Sequence, residues 1–514
     1  MCYFHFDSIS FYSLQDGYSL QIMPSAVQRS GRWRIKPSAK LPIFLRYIIN
    51  SSFDHKVANK LGFKNHIVNR VYLNHMMYWP ASEYDAFEGE VIYKAKNKRG
   101  WFEAYYQREL RKSTVLYNLG LRLQKTDWSK KSNQQIKKIL DDLLAKYREL
   151  ACAWYAQYPL DEHFETSIER KLAQYFPSSH PDFRKFVLIF TDPKEMTDVA
   201  EERWRLMKLA RKFKKNKERL LRLSKRARVD INQHLAKFAY INRGLATSKP
   251  YTFQDMVERV KEAWQGEQSL EELIYFSSEH KIEDDYKWAL KQIKLKADLS
   301  KLIRQARLHS YLRNRRVEAF FLADYGASFM YNEIARRAKF NPDWIMEITM
   351  PEMYGALKGK SLPAKREMQR RFKNYAMVVR EAKTKFIVNR KEIKKLEKKY
   401  FVVSKKTKEL KGRMACLGGV ITGRAKVCLD KNQINKVKKG DILITQFTTP
   451  DFVPAMERAA AIVADQGGLS SHAAIVSREL GVPCVIDTKN ATRLIKDNDL
   501  IEIDARQGII KILS

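Results

Sequence analysis

Acidic residues are scarce in this chain. Asp and Glu number 58 against 96 Lys and Arg, which leaves a formal charge of +38. Such a surplus bears on partners rather than on fold. It suits a nucleic acid, a membrane surface, an acidic protein or phosphorylated ligands. It equally suits a solvated basic surface with no specific partner. Cysteine is scarcer still. Cys2, Cys152, Cys416, Cys428 and Cys484 show no C-x-x-C pair and no metal-ligand spacing. A reducing compartment is the simple reading, and no metal site is predicted. No apolar run reaches the ~18 residues of a membrane span. The N-terminus lacks the basic and long apolar regions of a signal peptide. A cytoplasmic location is therefore expected. Also missing are a glycine-rich phosphate loop, a zinc finger and any RNP-like motif.

What is there is enough for a packed protein. Hydrophobic residues make up 45% and aromatics 12% of 514 residues. That is not a disordered composition, and the length predicts two to four domains. The charge is unevenly spread. From Ser404 onward there are 18 Lys and Arg against 12 Asp and Glu, or +6, so the first 403 residues carry +32.

Residues 1–100 form a mixed N-terminal region of unclear fold, in which Val71–Tyr78 and Glu90–Ala95 read as strands. Residues 101–357 show helical periodicity throughout and form a basic helical region. Ile136, Ile139, Leu140, Leu143, Leu144 and Tyr147 fall on one stripe, with Ser132 ahead of them as a cap. Arg203–Arg228 reads as one very basic helix, with 13 Lys and Arg and a single acid, Glu218. Leu206, Phe213, Leu220 and Ala227 recur every seven residues, so one side can pack. Its exposed side is either an anion or nucleic-acid contact or a solvated face whose long side chains cover apolar neighbours. Thr349-Met-Pro-Glu352 reads as a helix start with Pro351 in the first turn. Residues 358–411 are charged and predict a helical linker or hinge. From 412 to 514 the pattern turns to strands, at Arg424–Leu429, Gly440–Thr445, a run ending at Val463, Cys484–Ile486, Leu500–Ile503 and Ile509–Leu513. Strands with interleaved helices in so short a stretch make a compact β/α domain. The fold class expected is α + β, with a large, mainly helical N-terminal and central region and a C-terminal β/α domain.

The stretch Ala464–Ile486, A-D-Q-G-G-L-S-S-H-A-A-I-V-S-R-E-L-G-V-P-C-V-I, stands apart. A buried strand stops at Asp465, and Gly467 and Gly468 follow. Ser470 and Ser471 are good helix caps, and His472 opens an amphipathic helix that Gly481 and Pro483 end. Helix N-terminal amides and the helix dipole favour a phosphate dianion there. Glycines let backbone approach it closely. An imidazole with an ordinary pKa near ~6.5 is largely a neutral nucleophile at cell pH. On these residues alone, a capping or surface histidine is the commoner reading.

The run G-G-L-S-S-H-A-A-I-V-S-R-E-L-G-V-P-C-V-I resembles the signature of the phosphohistidine swivelling domain of the phosphoenolpyruvate (PEP)-utilising enzymes. The G-x-x-x-x-G-x-A-x-V run from Gly418 and the T-T-P-D loop at 448–451 are similar to that domain too, so the likeness covers about 412–514. It departs at Ser470, where the family usually has Thr. The resemblance implies a β/β/α swivelling domain in which His472 is phosphorylated and carries the phosphoryl group between sites. Gly467, Gly468, Ser470 and Ser471 would shape the phosphate pocket. Thr448 stands where the family has a threonine near the histidine. Asp465 would orient the turn or the imidazole, or serve as a plain turn residue. Arg478 would pair a phosphate or a local acid. The helical region resembles, in its pattern, the segment before the swivelling domain in PEP synthase-like and rifampicin phosphotransferase-like proteins, which implies an acceptor-binding role.

Two parts of the family plan are not found in this sequence: the ATP-grasp domain and the C-terminal PEP-binding barrel with its Mg²⁺ ligands. The expectation is a phosphohistidine phosphotransferase component with no tightly bound cofactor. ATP and Mg²⁺ would come through a separate ATP-grasp (or PEP) donor protein, and an unknown small molecule or metabolite would be the acceptor. The alternative is a non-catalytic binding or regulatory protein that keeps the swivelling fold and whose basic helices bind nucleic acid or an acidic protein.

Overall fold

The computed structural model describes residues 28–513 apart from 31–32, 38–41, 52–58, 60–61, 74–75, 178–179, 181, 221, 244–248, 266–268, 277, 382, 401–408, 417, 430, 449–451, 466–471 and 489–490. The chain divides into two compact units, Arg29–Glu397 and Lys398–Ser514. The class is α + β, as the sequence predicts. Among the described residues, no helix is long and apolar enough to cross a membrane.

The first unit starts with strands β1 (Gln28–Ser30) and β2 (Trp33–Pro37), helix α1 (Ile43–Ser51), and strands β3 (Arg70–Leu73) and β4 (Met76–Pro80). Helices follow: α2 (Ala81–Asn97), α3 (Trp101–Gln124), α4 (Asn133–Leu172), α5 (Phe183–Thr191), α6 (Asp198–Lys215), α7 (Lys225–Phe238), α8 (Tyr240–Arg243), α9 (Phe253–Gln265), α10 (Leu270–Phe276), α11 (Glu279–Gln292), α12 (Ala297–Arg337), α13 (Met350–Leu357) and α14 (Lys365–Lys373). Strands β5 (Ala376–Arg380) and β6 (Lys383–Ile387) and helix α15 (Arg390–Tyr400) complete the sequence of elements.

Helix α4 begins as its sequence dictates. Ser132 Oγ accepts from the Gln135 N–H at 3.2 Å, and Gln135 Oε1 accepts from the Ser132 N–H at 2.9 Å. This capping box satisfies two donors that the first turn leaves orphaned. The predicted stripe is the buried face. Ile136, Leu140, Leu143, Leu144 and Tyr147 join Leu116, Leu119, Leu123, Ala323, Ala327 and Met330 in one core, with Ile139 partly buried against it. Thr349 and Glu352 form a second capping box at the start of α13, with Pro351 in its first turn.

Four expectations differ from the structure. Glu90–Ala95 is helix, not strand: Tyr84, Phe87, Glu88 and Val91 of α2 are buried at helical spacing. The 203–228 stretch is two helices. Lys217 takes a left-handed φ of 56° after α6, and Ser224 caps α7 by accepting from the Ala227 N–H. The 358–411 segment is not a helical linker. Its β5–β6 hairpin pairs through β5 with β3 and extends the sheet β1-β2-β4-β3-β5-β6. The run Ala376-Met-Val-Val supplies the buried face of that strand, and the surrounding lysines hide its period in the sequence. The N-terminal region, from Arg29 on, is part of this same unit rather than a region of its own.

The second unit holds β7 (Glu409–Lys411), β8 (Arg413–Cys416), β9 (Val420–Cys428), β10 (Ile442–Thr445), α16 (Val453–Arg458), β11 (Ala461–Ala464), α17 (His472–Glu479), β12 (Cys484–Ile486), α18 (Ala491–Leu494), β13 (Leu500–Asp504) and β14 (Ile509–Ile512). Its sheet runs β7-β14-β13-β9-β10-β11-β12-β8. Strands β9, β10, β11 and β12 are parallel, flanked by antiparallel β13 and β8. Both faces of the parallel part are covered. Leu443, Ile462, Cys484 and Ile486 pack with Phe452, Met456, Ala473, Ala474 and Val476 on one side. Ile442, Ile444, Val463 and Val485 pack with Ala491, Ile495, Ile501 and Ile503 on the other. Two-sided burial explains why these strands read as unbroken apolar runs.

Candidate functional site

The carboxyl ends of parallel strands are where open α/β sheets bind ligands. Here β10 and β11 end level, with Thr445 opposite Ala464. The ladder goes one step further, since the Asp465 N–H donates to the Thr445 carbonyl at 3.0 Å. Seven residues after Asp465 comes His472, the first residue of α17. Ala473, Ala474, Val476 and Ser477 of α17 are buried, and the Ser477 hydroxyl donates to the Ala474 carbonyl at 3.1 Å. These small side chains hold the helix down on the sheet. His472 is thereby fixed, as a backbone position, at the positive end of a helix dipole on the carboxyl edge of the sheet.

Asp465 is 3% exposed. Its Oδ1 accepts from the Thr488 hydroxyl at 3.0 Å, and both its oxygens accept from the Thr492 N–H, at 3.2 and 3.3 Å. The Thr492 hydroxyl also donates to Oδ2. The carboxylate thus ties the end of β11 to the start of α18, and the Thr488 hydroxyl lies 3.1 Å from the Ala464 carbonyl. Sequence reasoning named Asp465 and missed Thr488 and Thr492. Two threonines some 25 residues downstream carry no local signal. Thr448 is buried, three residues beyond the end of β10 and therefore on the same edge of the sheet. Arg478 lies in α17. Gly467, Gly468, Ser470 and Ser471 lie outside the described residues.

Residues 437–508 match the model of the PEP-utilising enzyme mobile domain. The C-terminal unit contains a PEP-utilising enzyme mobile domain. Within the matched stretch lie β10, β11, α17 and the Asp465 ties. A probable phosphoenolpyruvate synthase of Archaeoglobus fulgidus is 49% identical over 121 residues, which cover 24% of this chain and 16% of that protein. The phosphoenolpyruvate synthase of Pyrococcus furiosus is 55% identical over 92 residues, or 18% of this chain and 11% of its own length. That of Aquifex aeolicus is 46% identical over 89 residues, 17% and 10% of the respective chains. The likeness to these relatives therefore spans a small part of each, and the mobile-domain match lies in the C-terminal unit.

The helical unit has polar sites of its own. A cavity of about 340 Å³ between α2 and α4 is lined by Asp85, Glu88, Lys96, His163, Ser167 and Arg170, among others. Burial pushes the His163 imidazole down to about 4, helped by Lys96 and Arg170, so it is neutral at cell pH. Its Nδ1 lies 3.2 Å from the Ser167 hydroxyl. Deeper in the unit, Asp198 and Glu318 are buried together. The Asp198 N–H donates to Glu318 Oε1 at 2.5 Å, and Arg315 donates to both carboxylates at 2.8 and 2.6 Å. Burial, with the Asp198 charge beside it, pushes Glu318 up to about 7.

Proposed function

We propose that the chain is the phosphohistidine carrier component of a phosphotransferase. What supports this reading most is the position of His472, the first residue of α17 on the carboxyl edge of a parallel sheet, inside the stretch that matches the mobile domain. Phosphoryl transfer rests on positioning and charge neutralisation, and a nucleophilic histidine divides one transfer into two. In the first, an imidazole nitrogen attacks the terminal phosphorus of the donor. The N–P bond forms as the bridging P–O bond breaks, leaving ADP from ATP, or the enolate of pyruvate from PEP, and the ring N–H proton goes to solvent. In the second, an acceptor oxygen attacks the phosphorus, and the N–P bond breaks with return of a proton to the ring.

The donor is a separate ATP-grasp or PEP-binding protein in this reading. The acceptor is held by the helical unit, whose cavity beside Lys96 and Arg170 has the size of a small-molecule site. Gly467, Gly468, Ser470, Ser471 and Thr448 line the phosphate pocket, and Arg478 pairs with the phosphate. Asp465 holds the strand end on which the loop is built.

The test is to incubate the full chain with each candidate donor protein and γ-labelled ATP, or with labelled PEP. Acid-labile, base-stable label is expected on the wild type and absent from His472→Ala. Equal labelling of the two proteins, or none with any donor, defeats the reading.

A further inference from the structure

The break between α6 and α7 is built in an unusual way. Helix α6 closes with the Glu218 N–H donating back to the Phe213 carbonyl at 3.0 Å, around Lys217 in a left-handed conformation. Glycine ordinarily takes that place, because a Cβ is strained there. Glu218 is the one acid between Arg203 and Arg228. Its carboxylate is spent inside the turn, accepting from the Ser224 N–H at 2.9 Å and the Ser224 hydroxyl at 2.6 Å. The cations around it stay uncompensated. Lys214, Lys215, Lys217, Arg219, Arg222 and Lys225 are all exposed, and among the described residues none of the six pairs with a carboxylate. Further from the turn the pattern changes, since Arg211 pairs with Glu271 and Lys212 with Asp230.

The chemistry of the partner follows from what the turn does not offer. Leu206, Met207, Ala210 and Phe213 of α6 and Ala227 and Ile231 of α7 are buried. Protein interfaces are anchored by apolar and aromatic groups and are depleted in lysine. A membrane-surface helix needs an exposed apolar face. A nucleic-acid backbone needs neither, because its phosphates bind cations with release of counterions. We propose that the turn spanning 214–225 is a sequence-independent contact for the phosphate backbone of a nucleic acid. It stands independently of the carrier role of His472.

The test uses the full chain and fluorescence anisotropy with a labelled single-stranded RNA and a labelled DNA duplex of about 20 units each, titrated between about 50 and 200 mM KCl. In a variant combining Lys214→Gln, Lys217→Gln, Arg219→Gln and Arg222→Gln, affinity is expected to fall at least about tenfold. The plot of log affinity against log salt should become shallower by up to about 3, since each phosphate contact contributes ~0.7–0.9. A control combining Lys391→Gln, Lys394→Gln, Lys395→Gln and Lys398→Gln on α15 removes as much exposed charge and is expected to keep most of the affinity and the slope. Equal losses in the two variants, or no loss in the first, overturn the proposal. So does a labelled polyglutamate that binds the wild type as tightly as nucleic acid, which assigns the turn to an acidic protein. Lys217→Gly guards against simple misfolding. It relieves the left-handed strain and removes a cation, so a higher Tm with weaker binding is expected, whereas unchanged binding counts against the contact.

Discussion

Gly120 of α3 and Gly326 of α12 pack backbone against backbone. A Cβ on Gly326 would lie 2.3 Å from the Gly120 carbonyl oxygen, and one on Gly120 would lie 2.8 Å from the Ala323 nitrogen. Neither clash is with a flexible side-chain end, so a methyl group at either place must separate the helices. Gly326→Ala is expected to destabilise the helical unit by about 1–3 kcal/mol, the usual cost of overpacking. Gly355 of α13 is the contrast, since its Cβ would meet only the Lys360 side chain at 3.6 Å. Gly355→Ala should be neutral or stabilising by up to about 1 kcal/mol. Urea midpoints of the two variants should move apart, and an unchanged or raised midpoint for Gly326→Ala would show that the close crossing carries no stability.

Glu352 serves two masters. It completes the capping box with Thr349, and it accepts both Arg371 Nη atoms, at 2.8 and 2.7 Å. Burial opposes its ionisation, but the Arg371 pair and the Thr349 hydrogen bonds together outweigh burial and hold its carboxyl below the usual range. The Arg371 side chain is 5% exposed and, if Glu352 is removed, keeps one carboxylate, Glu367, and the Glu347 carbonyl, each at 3.3 Å. Glu352→Ala is therefore expected to cost about 3 kcal/mol, against about 1 kcal/mol for Thr349→Ala. Chemical denaturation of both variants measures the gap, and equal costs would mean that the ion pair adds nothing beyond the cap.

Glu318 makes the helical unit sensitive to pH in one window. Its folded pKa of about 7 lies above the ordinary carboxylate value. Between about pH 4.5 and 7 the folded protein holds a proton that the unfolded chain releases, so this group makes stability fall as pH rises through the window. Below it both states are protonated, and above it both are ionised. Tm of the wild type, compared with that of Glu318→Gln from pH 5 to about 7.5, should show the extra decline in the wild type alone. Parallel profiles would rule out this proton.

Asp465→Ala leaves the Thr492 N–H and hydroxyl without their acceptor, while the Thr488 hydroxyl keeps the Ala464 carbonyl. Losing a buried charged acceptor costs about 1–3 kcal/mol. Hydrogen exchange should show faster amide exchange over 488–495, and label on His472 should fall in the same variant. Asp465→Asn, which retains one acceptor oxygen, is expected to fall between Ala and wild type. Unchanged exchange over 488–495 would mean that these bonds do not hold α18 in place.

The parts legible in the sequence were those with local signals. Ser132 with Gln135, and Thr349 with Glu352, are capping pairs three residues apart, and both form. The six strands read from the C-terminal stretch all form, because apolar runs bounded by Gly, Asp and Pro mark strands buried on two faces. What escaped depends on contacts distant in the chain. The hairpin 376–387 is a strand pair only because β3, some 300 residues earlier, offers an edge to it. The seven-residue apolar spacing in 203–228 continues across a turn that the left-handed Lys217 and the Glu218–Ser224 bonds make. That His472 opens a helix after a buried strand was legible, while the Thr488 and Thr492 ties to Asp465 were not.

The two outermost strands of the C-terminal sheet are short and charged. Strand β7 exposes Glu409 and Lys411, and β8 exposes Arg413. Unpaired sheet edges invite another chain to add a strand, and charged groups along a brief edge discourage it. A body of this kind resists self-association when its flanks face water. In the carrier reading, that property lets it leave one partner and reach the next without being captured by a neighbouring copy.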